Sequence, residues 1–454
     1  MALRLAVLVA AVVPSVAVAQ AWFVRGGVTA RGEFNDNYFL TSTGKQSAFT
    51  ASVTPFVTAA RQTQTTDVTA VLAVGLNRVW GPSPTTDYVS GLLGLRGAIS
   101  DERSTWTGAV SFSRAPSLQN AQTPAGVVLV RAYTNAASVN GTYSYALTER
   151  WSVGATAGWY GNSYSAVESG SASSLSDNSG YNVGAVLSYR ATERTDVVAS
   201  AVFWRYSSDI TRADAVVPTL GVVHEFSPQL TVSGAVAGYW SDIEAKQTAF
   251  VCPTSPILCS TGIVQPMLVF SGDQRHDSGP LFGGSVNYAF SQRTQLYASL
   301  SQTLAPGSTG GITRTGFVGA SLLHRFSDRL TGRVGASYGS TRFPAGLSNW
   351  YTDKFYQGEI GASFQLAEYW ALDVGYRYMR AAYADNPSEP SSNIVFISVA
   401  YNWPGASPTD WLGARGGREI RPGAGPILLP ARREPPTSPE SPPERSRFDA
   451  FPLQ

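Results

Sequence analysis

The sequence is poor in charge. Only 14% of its 454 residues are Asp, Glu, Lys or Arg, whereas typical soluble domains carry about 25%. Lysine is limited to Lys45, Lys246 and Lys354, and the formal net charge is +2. Nucleic-acid binding requires a basic patch, so this composition argues against nucleic acid as a partner.

Long hydrophobic runs are confined to the first residues, "MALRLAVLVAAVVPSVAVAQA". Arg4 precedes an apolar core, and Ala17 and Ala19 form an A-x-A cleavage site, which together predict a signal peptide over 1–19. Beyond it no run of about 18 apolar residues occurs, so no membrane helix is expected. We therefore expect an exported chain that begins at Gln20.

Cysteine is also scarce: Cys252 and Cys259 are the two in the chain, within "VCPTSPILCS". In an oxidising compartment such a close pair favours a local disulfide over two free thiols. The segment contains no His or further Cys, so neither a metal site nor a cofactor is expected.

Apolar residues do occur in alternation. In "LTERWSVGATAGWYGN", residues 147–162, one alternate set runs from Trp151 to Trp159 through Val and Ala, and the other contains Ser, Gly and Thr. A period of two predicts a β-strand with one apolar face. Its length suits a strand that crosses a bilayer, which takes roughly 9–11 residues.

Similar segments recur along the chain and are joined by short polar turns such as "ALTERWSV" at 146–153 and "EFSPQLTV" at 225–232. Turns stay short at one end, whereas the opposite connections vary in length, as in outer-membrane barrels. We predict an all-β, transmembrane, antiparallel up-and-down barrel over 20–403 with about eighteen strands, sixteen being the alternative. Two strands, 230–242 and 279–290, would flank a long outer loop between Ile243 and Asp277.

The two faces of the strands receive different roles. Large aromatic side chains on the apolar face predict girdles at the two headgroup levels, and these are Trp106, Trp151, Trp159, Tyr181, Tyr189, Tyr338, Trp370 and Trp403. Charges at alternate positions are expected to face the lumen, namely Arg31, Glu33, Arg96, Arg190, Arg333, Glu359, Asp373 and Arg377. These charges either select ions and solutes, with a slight Arg excess that favours anions, or only pair with one another.

Residues 404–454 are rich in proline, mix Arg with Glu and show no period. This composition predicts a disordered periplasmic tail, with docking to a periplasmic partner as the alternative.

The stretch "VTARGEFNDNYFLTS", 28–42, ends an early strand in Phe34, Asn35, Asp36 and Asn37. With Pro55 in the following strand, it resembles the putative β-barrel porin 2 family of Gram-negative outer membranes. The resemblance implies a barrel without catalytic residues, in some cases linked to exopolysaccharide export. The proline-rich tail departs from it and leaves the C-terminal β-signal internal, at 395–403.

These observations predict a porin-like channel in the outer membrane for passive diffusion of small polar solutes. Its expected partners are outer-membrane lipid and lipopolysaccharide, the barrel assembly machinery and the solutes themselves. A structural or adhesive barrel plugged by the loop 244–276 is the alternative. A hydrolase that uses Asp273, His276 and Asp277 in that loop is a third hypothesis, while His224 and His324 lie beside inner turns and are expected in the girdle.

The loop disulfide is directly testable. Cys252 and Cys259 flank Pro253 and Pro256, and a turn there can bring the two Cα atoms to the distance that a disulfide requires. Peptide mapping of protein from cells should find the two thiols joined, and two free thiols would contradict the prediction.

Overall fold

The computed structural model describes residues 22–81, 86–116, 132–166, 176–209, 211–251, 267–306, 312–345, 349–383 and 389–403. Its strands are β1 (Trp22–Asn35), β2 (Ala48–Gln62), β3 (Thr66–Trp80), β4 (Thr86–Ser100), β5 (Ser104–Pro116), β6 (Ala132–Ala146), β7 (Trp151–Ala166), β8 (Asn178–Thr192), β9 (Thr195–Ser208), β10 (Thr211–Ser227), β11 (Leu230–Val251), β12 (Met267–Ser291), β13 (Thr294–Pro306), β14 (Ile312–Arg325), β15 (Leu330–Ala345), β16 (Asn349–Ala367), β17 (Trp370–Ala382) and β18 (Ser391–Asn402). None of the described residues forms a helix long and apolar enough to span a membrane.

Each strand pairs antiparallel with the next one in sequence, and β1 also pairs with β18. The sheet therefore closes into a barrel of eighteen strands, which confirms the predicted fold class and excludes the alternative of sixteen. The predicted signal peptide and tail, 1–19 and 404–454, lie outside the described residues.

The prediction of a long outer loop between Ile243 and Asp277 is wrong. β11 and β12 continue as a paired ladder through Ile243 and Arg275 up to Val251 and Met267. The extensions do not alternate between apolar and polar residues, as "MLVF" at 267–270 shows, so a period of two could not reveal them. The remaining connection, 252–266, contains both cysteines and lies outside the described residues.

Side chains alternate between an exposed and a covered face along each strand. On β10, Val216 and Leu220 are 45% and 56% exposed, whereas Ala215 and Val217 are 1% and 0% exposed. Because the sheet is closed, the exposed apolar face is the outer surface, and the covered face lines the interior.

All eight residues predicted for the aromatic girdles lie on strands or strand ends of the outer face. Several of them contact an aromatic ring on the neighbouring strand: the ring centroids of Trp151 and Tyr189 are 4.5 Å apart, and those of Tyr338 and Tyr356 are 5.1 Å apart, both pairs being tilted. These contacts cover part of Tyr189 and Tyr338, which are only partly exposed. Their position at the lipid headgroups remains a prediction.

The segment after β1 joins the first strand to the last at the outer rim. The Asp36 carboxylate accepts hydrogen bonds from the backbone N and the side-chain Nδ2 of Asn393, at 2.6 and 2.7 Å. Asn37 is 1% exposed, and its Nδ2 donates to the carbonyl oxygens of Thr41 and Ser391, at 2.8 and 2.9 Å. Asp36 and Asn37 therefore bind the start of β18 to the end of β1. Together with Phe34 and Asn35 they are here named the closure motif.

The other two motif residues serve the same junction. Asn35 Oδ1 accepts hydrogen bonds from Ser392 Oγ at 2.6 Å and from the backbone N of Asn37 at 2.9 Å. Phe34 points outward and is 48% exposed. The motif is thus structural, with polar side chains on the junction and an aromatic ring on the outer surface.

Removing the Asn37 amide should destabilise the barrel. Asn37→Ala leaves buried backbone carbonyls without donors, which should lower the free energy of unfolding by about 2 kcal/mol. The measurement is urea unfolding in lipid vesicles, followed by heat-modifiable migration on gels.

Asp87→Asn is the matched control, because it breaks an exposed rim pair with Arg78 at 3.5 Å. Its effect should stay below about 1 kcal/mol. Equal stability of Asn37→Ala and wild type would show that closure does not depend on the motif.

Candidate functional site: a charged belt on the inner wall

The eight charges predicted for the lumen lie on the interior face of their strands, and six of them share one sector. Arg31 and Glu33 come from β1, Arg333 from β15, Glu359 from β16, and Asp373 and Arg377 from β17. Strands β15 to β18 and β1 are consecutive around the wall, so these six residues form a continuous patch, here named the charged belt. Arg96 on β4 and Arg190 on β8 lie elsewhere.

Arg333 is the centre of the belt. Its guanidinium holds Asp373 through two hydrogen bonds, with NH1 to Oδ1 at 2.6 Å and NH2 to Oδ2 at 3.2 Å. Its Nε donates to Glu359 Oε1 at 3.1 Å. Two-point contact of this kind fixes the plane of the guanidinium as well as its charge.

Glu359 and Asp373 have further donors. Arg377 Nε donates to Glu359 Oε2 at 3.0 Å, so this carboxylate lies between two arginines. Ser363 Oγ donates to Asp373 Oδ1 at 2.7 Å. With 9% to 22% of these four charged side chains exposed, the groups are largely withdrawn from water and held by one another.

An aromatic ring extends the belt to β1. Arg31 pairs with Glu33 at 2.6 Å, and its guanidinium carbon lies 4.0 Å from the centroid of Phe396. The Arg333 guanidinium approaches the same ring at 5.8 Å. Gly375 makes room for the ring, because a Cβ at that position would lie 2.4 Å from Phe396 Cζ.

The belt is formally neutral, since three arginines face three carboxylates. Arg190 also has a carboxylate beside it, that of Asp196 at 3.7 Å. The Arg excess noted in the sequence is therefore largely offset by acidic partners, which weakens the case for anion preference. A role in solute selection remains a prediction.

The wall overlaps itself at its outer end, between β12 and β13. Their pairing ends at Gly283 and Ser301, a point here named the seam. Beyond it β12 pairs with β11, while β13 continues with β14 to Pro306 and Ile312. The outer ends of β13 and β14, residues 302–306 and 312–316, are here named the inner hairpin.

The inner hairpin lies on the interior side of β12. Leu304 and Ile312 occupy the outward-facing register of their strands, yet both are 6% exposed and pack in one apolar cluster with the inward-facing Leu281 and Tyr239. Arg314 NH2 donates to the carbonyl oxygen of Pro280 at 2.9 Å. The outward face of the hairpin therefore rests on the inward face of β12.

The cluster continues along the interior face of the neighbouring strands. Its buried members are Trp204, Tyr206, Ala213, Ala215, Val217, Tyr239, Leu281, Leu304 and Ile312. The interior is thus apolar and filled beside the inner hairpin and charged at the belt. Among the described residues it is this hairpin that lies inside the wall, whereas 244–251 and 267–276 continue the paired strands β11 and β12.

The hydrolase hypothesis placed Asp273, His276 and Asp277 in one outer loop, and that placement is wrong. All three lie on β12, where adjacent residues point to opposite faces. His276 contacts Asp242 on the outer face, whereas Asp277 accepts a hydrogen bond from Tyr239 on the interior face at 2.8 Å. The described residues contain no cluster of ligands that could hold a metal ion.

His224 and His324 occupy equivalent outward positions next to the short turns. Each ring Nδ1 lies 2.8 Å from a threonine hydroxyl, of Thr195 and Thr294 respectively. Each ring also lies against the phenylalanine two residues further on. Both histidines therefore make packing contacts on the outer surface beside the short turns.

Sequence reasoning missed several members of the site. Phe396 lies in "NIVFISVAYN", where apolar residues occupy both faces, so its inward position could not be read. Ser363 and Asp196 could have been found by strand register, because they lie directly opposite Asp373 and Arg190. Nothing in the sequence indicates that Arg314 lies inside. Alternation places it on the outward face of β14, and it is interior because this part of β14 lies inside β12.

Removing one carboxylate from the belt should be costly. Glu359→Gln leaves Arg333 and Arg377 without the charge between them, and breaking a largely buried pair costs about 3 kcal/mol. The control Asp196→Asn breaks a more exposed pair and should cost at most about 1 kcal/mol. Equal unfolding free energies of the two variants in urea would contradict the central role of Glu359.

Comparison with solved structures returns outer-membrane proteins. The outer membrane protein OpdK from Pseudomonas aeruginosa is 12% identical, with a TM-score of 0.41 over 84% of this chain and 99% of that chain. OccAB1 from Acinetobacter baumannii is 10% identical, with a TM-score of 0.42 over 84% and 97%. The ferric citrate transporter FecA is 10% identical, with a TM-score of 0.45 over 86% and 79%. No curated protein matches the chain.

The family comparison concerns the second half of the barrel. A family model described as putative β-barrel porin 2 matches residues 275–402, from within β12 to the end of β18. The resemblance noted in the sequence was carried by residues 28–62, and these two regions meet where β1 pairs with β18. The resemblance to the putative β-barrel porin 2 family is therefore confirmed, over the segment 275–402.

Proposed function

We propose that this chain forms a passive diffusion channel for small polar solutes in the bacterial outer membrane. The observation that carries the proposal is the closed barrel of eighteen strands with an apolar outer face and a charged belt on its interior face. Barrels of about 16–18 strands are wide enough to leave an aqueous channel. The family match to a porin supports the same function.

The belt and the inner hairpin define what such a channel would admit. The belt presents both signs of charge in equal number, which favours small polar solutes over ions of one sign. The inner hairpin narrows the outer end, since it adds a second layer inside β12. A link to exopolysaccharide export is supported by the family resemblance alone.

One observation favours a plugged structural or adhesive barrel as the second candidate. The residues of the inner hairpin are buried on both faces: Leu304 and Ile312 on one, and Thr303 and Thr313 on the other, at 5% and 1% exposure. A hairpin covered on both sides could close the interior. An enzymatic function receives no comparable support, because His276 and Asp277 face opposite sides of the wall.

Conductance tests the channel directly. Purified protein in planar bilayers should give steady ohmic current at moderate voltage, with a reversal potential near zero in a salt gradient because the belt is neutral. Absence of current at every voltage, in wild type and in the hairpin deletion described below, would overturn the proposal.

The belt should control selectivity. Glu359→Gln removes a negative charge from the interior wall and should shift the reversal potential toward anions, whereas Arg377→Gln should shift it toward cations. Asp87→Asn, on an outward-facing pair, should leave it unchanged. Shifts of the same sign in both belt variants would show that the belt does not line the ion path.

Shortening the inner hairpin separates an open channel from a plugged barrel. Replacing residues 303–315 by Asn-Gly joins the paired residues Gln302 and Gly316 through a two-residue turn and should increase conductance. The control replaces residues 247–271 by Asn-Gly between the paired Lys246 and Gly272, and should leave conductance unchanged. A silent wild type that conducts after the first deletion would establish the plugged barrel.

A further inference from the structure

Three cations lie on the outer face near the outer rim of adjacent strands. They are Arg342 on β15, Lys354 on β16 and Arg380 on β17, and all three are exposed. In the strand register Lys354 lies opposite Ser340, which is two residues before Arg342. Arg380 lies opposite Tyr356, which is two residues after Lys354. The three side chains therefore follow a diagonal line across three strands, here named the cationic diagonal.

The cationic diagonal lies just beyond a cluster of tyrosines. Tyr338 and Tyr356 stack on the same face, and Tyr378 on β17 is exposed beside them. Lys354 and Arg380 each lie two residues further toward the rim than a tyrosine on their own strand, which is about 7 Å at ~3.4 Å per residue. Because aromatic girdles are expected at the headgroup level of a bilayer, we expect the cations at the level of lipid phosphates or just above it.

The charge of this sector is not balanced. Within the described residues no carboxylate forms an ion pair with Arg342 or Lys354, and Arg380 contacts Glu389. Arg314 lies opposite Arg342 in the strand register, but its guanidinium is turned to Pro280 and Gln302. The exposed Arg342 and Lys354 therefore leave this sector with a net positive charge.

Several other rim cations on the outer face have acidic partners. Arg205 holds Asp214 in a two-point contact of 2.5 and 2.7 Å, and Arg78 lies 3.5 Å from Asp87. His276 contacts Asp242 in the same way. The β15 to β17 sector differs from these three positions, because Arg342 and Lys354 have no carboxylate partner among the described residues.

We propose that the cationic diagonal binds the phosphorylated headgroup of a glycolipid in the outer leaflet. Arg342 and Lys354 would contact phosphate oxygens, Arg342 through the planar donors of its guanidinium and Lys354 through its compact ammonium charge. The tyrosines would contact the sugar and the start of the acyl chains. Basic side chains beside a membrane surface are attracted to anionic lipid over short distances. The proposal concerns the outer wall and does not depend on conductance.

The test compares lipid binding by full-length variants. Purified barrel in neutral detergent is titrated with fluorescent diphosphorylated lipid A, with its dephosphorylated form and with inorganic phosphate as competitor. Arg342→Gln with Lys354→Gln should weaken binding of the diphosphorylated lipid about tenfold, since each surface cation contributes to lipid attraction. The control Arg78→Gln, on a paired rim cation, should leave affinity unchanged.

A second variant separates charge from folding. Arg342→Lys with Lys354→Arg keeps both charges and should retain most of the affinity, and heat-modifiable migration on gels should show that every variant is folded. Equal affinity of the double Gln variant and wild type would overturn the proposal. Equal affinity for the dephosphorylated lipid, or full displacement by inorganic phosphate at the lipid's own concentration, would overturn it as well.

Discussion

The structure depends on one constraint, that every backbone N–H and C=O inside a bilayer must find its partner within the protein. A sheet satisfies this only when its first and last strands meet, and β1 and β18 do so across nine residue pairs from Gly27–Asn402 to Asn35–Ile394. The polar motif after β1 holds the outer end of that junction through Asp36 and Asn37. Gly26 lies at the other end of the β1–β18 junction. There the Trp403 ring covers the glycine, and the Trp403 N–H donates to the Gly26 carbonyl oxygen.

Closure also explains where the charges lie. Once the outer face must be apolar, charged residues within the spanning strands can only face inward, and there they must neutralise one another because water reaches them incompletely. The belt achieves this with Arg333 between Glu359 and Asp373. The belt also reaches the β1–β18 junction, where the Arg31 guanidinium on β1 lies over the Phe396 ring on β18.

Much of this architecture could be predicted from the sequence, because a strand in a bilayer has an apolar face and a period of two. That pattern predicted a strand within 147–162, where the structure has β7 (Trp151–Ala166), and parity placed Arg333 and Glu359 on the inside. It could not show the outer parts of β11 and β12, because a strand needs no alternation of apolar and polar residues beyond the bilayer. Nor could it show the inner hairpin, because alternation gives the side on which a residue lies only while the wall is a single layer.

The seam between β12 and β13 also has a consequence for the surrounding lipid. The paired wall of β13 extends from Thr294 to Ser301, which is about 23 Å along the strand at ~3.3 Å per residue. At the strand tilt of about 40° common in such barrels, this is about 18 Å along the membrane normal, less than the usual apolar band of about 25 Å. Hydrocarbon cannot cover an open strand edge, so we expect the bilayer to be thinner beside the seam than around the rest of the barrel, or the barrel to tilt and lower that side. Hydrophobic mismatch confined to one sector gives the protein a preferred orientation relative to its lipid neighbours.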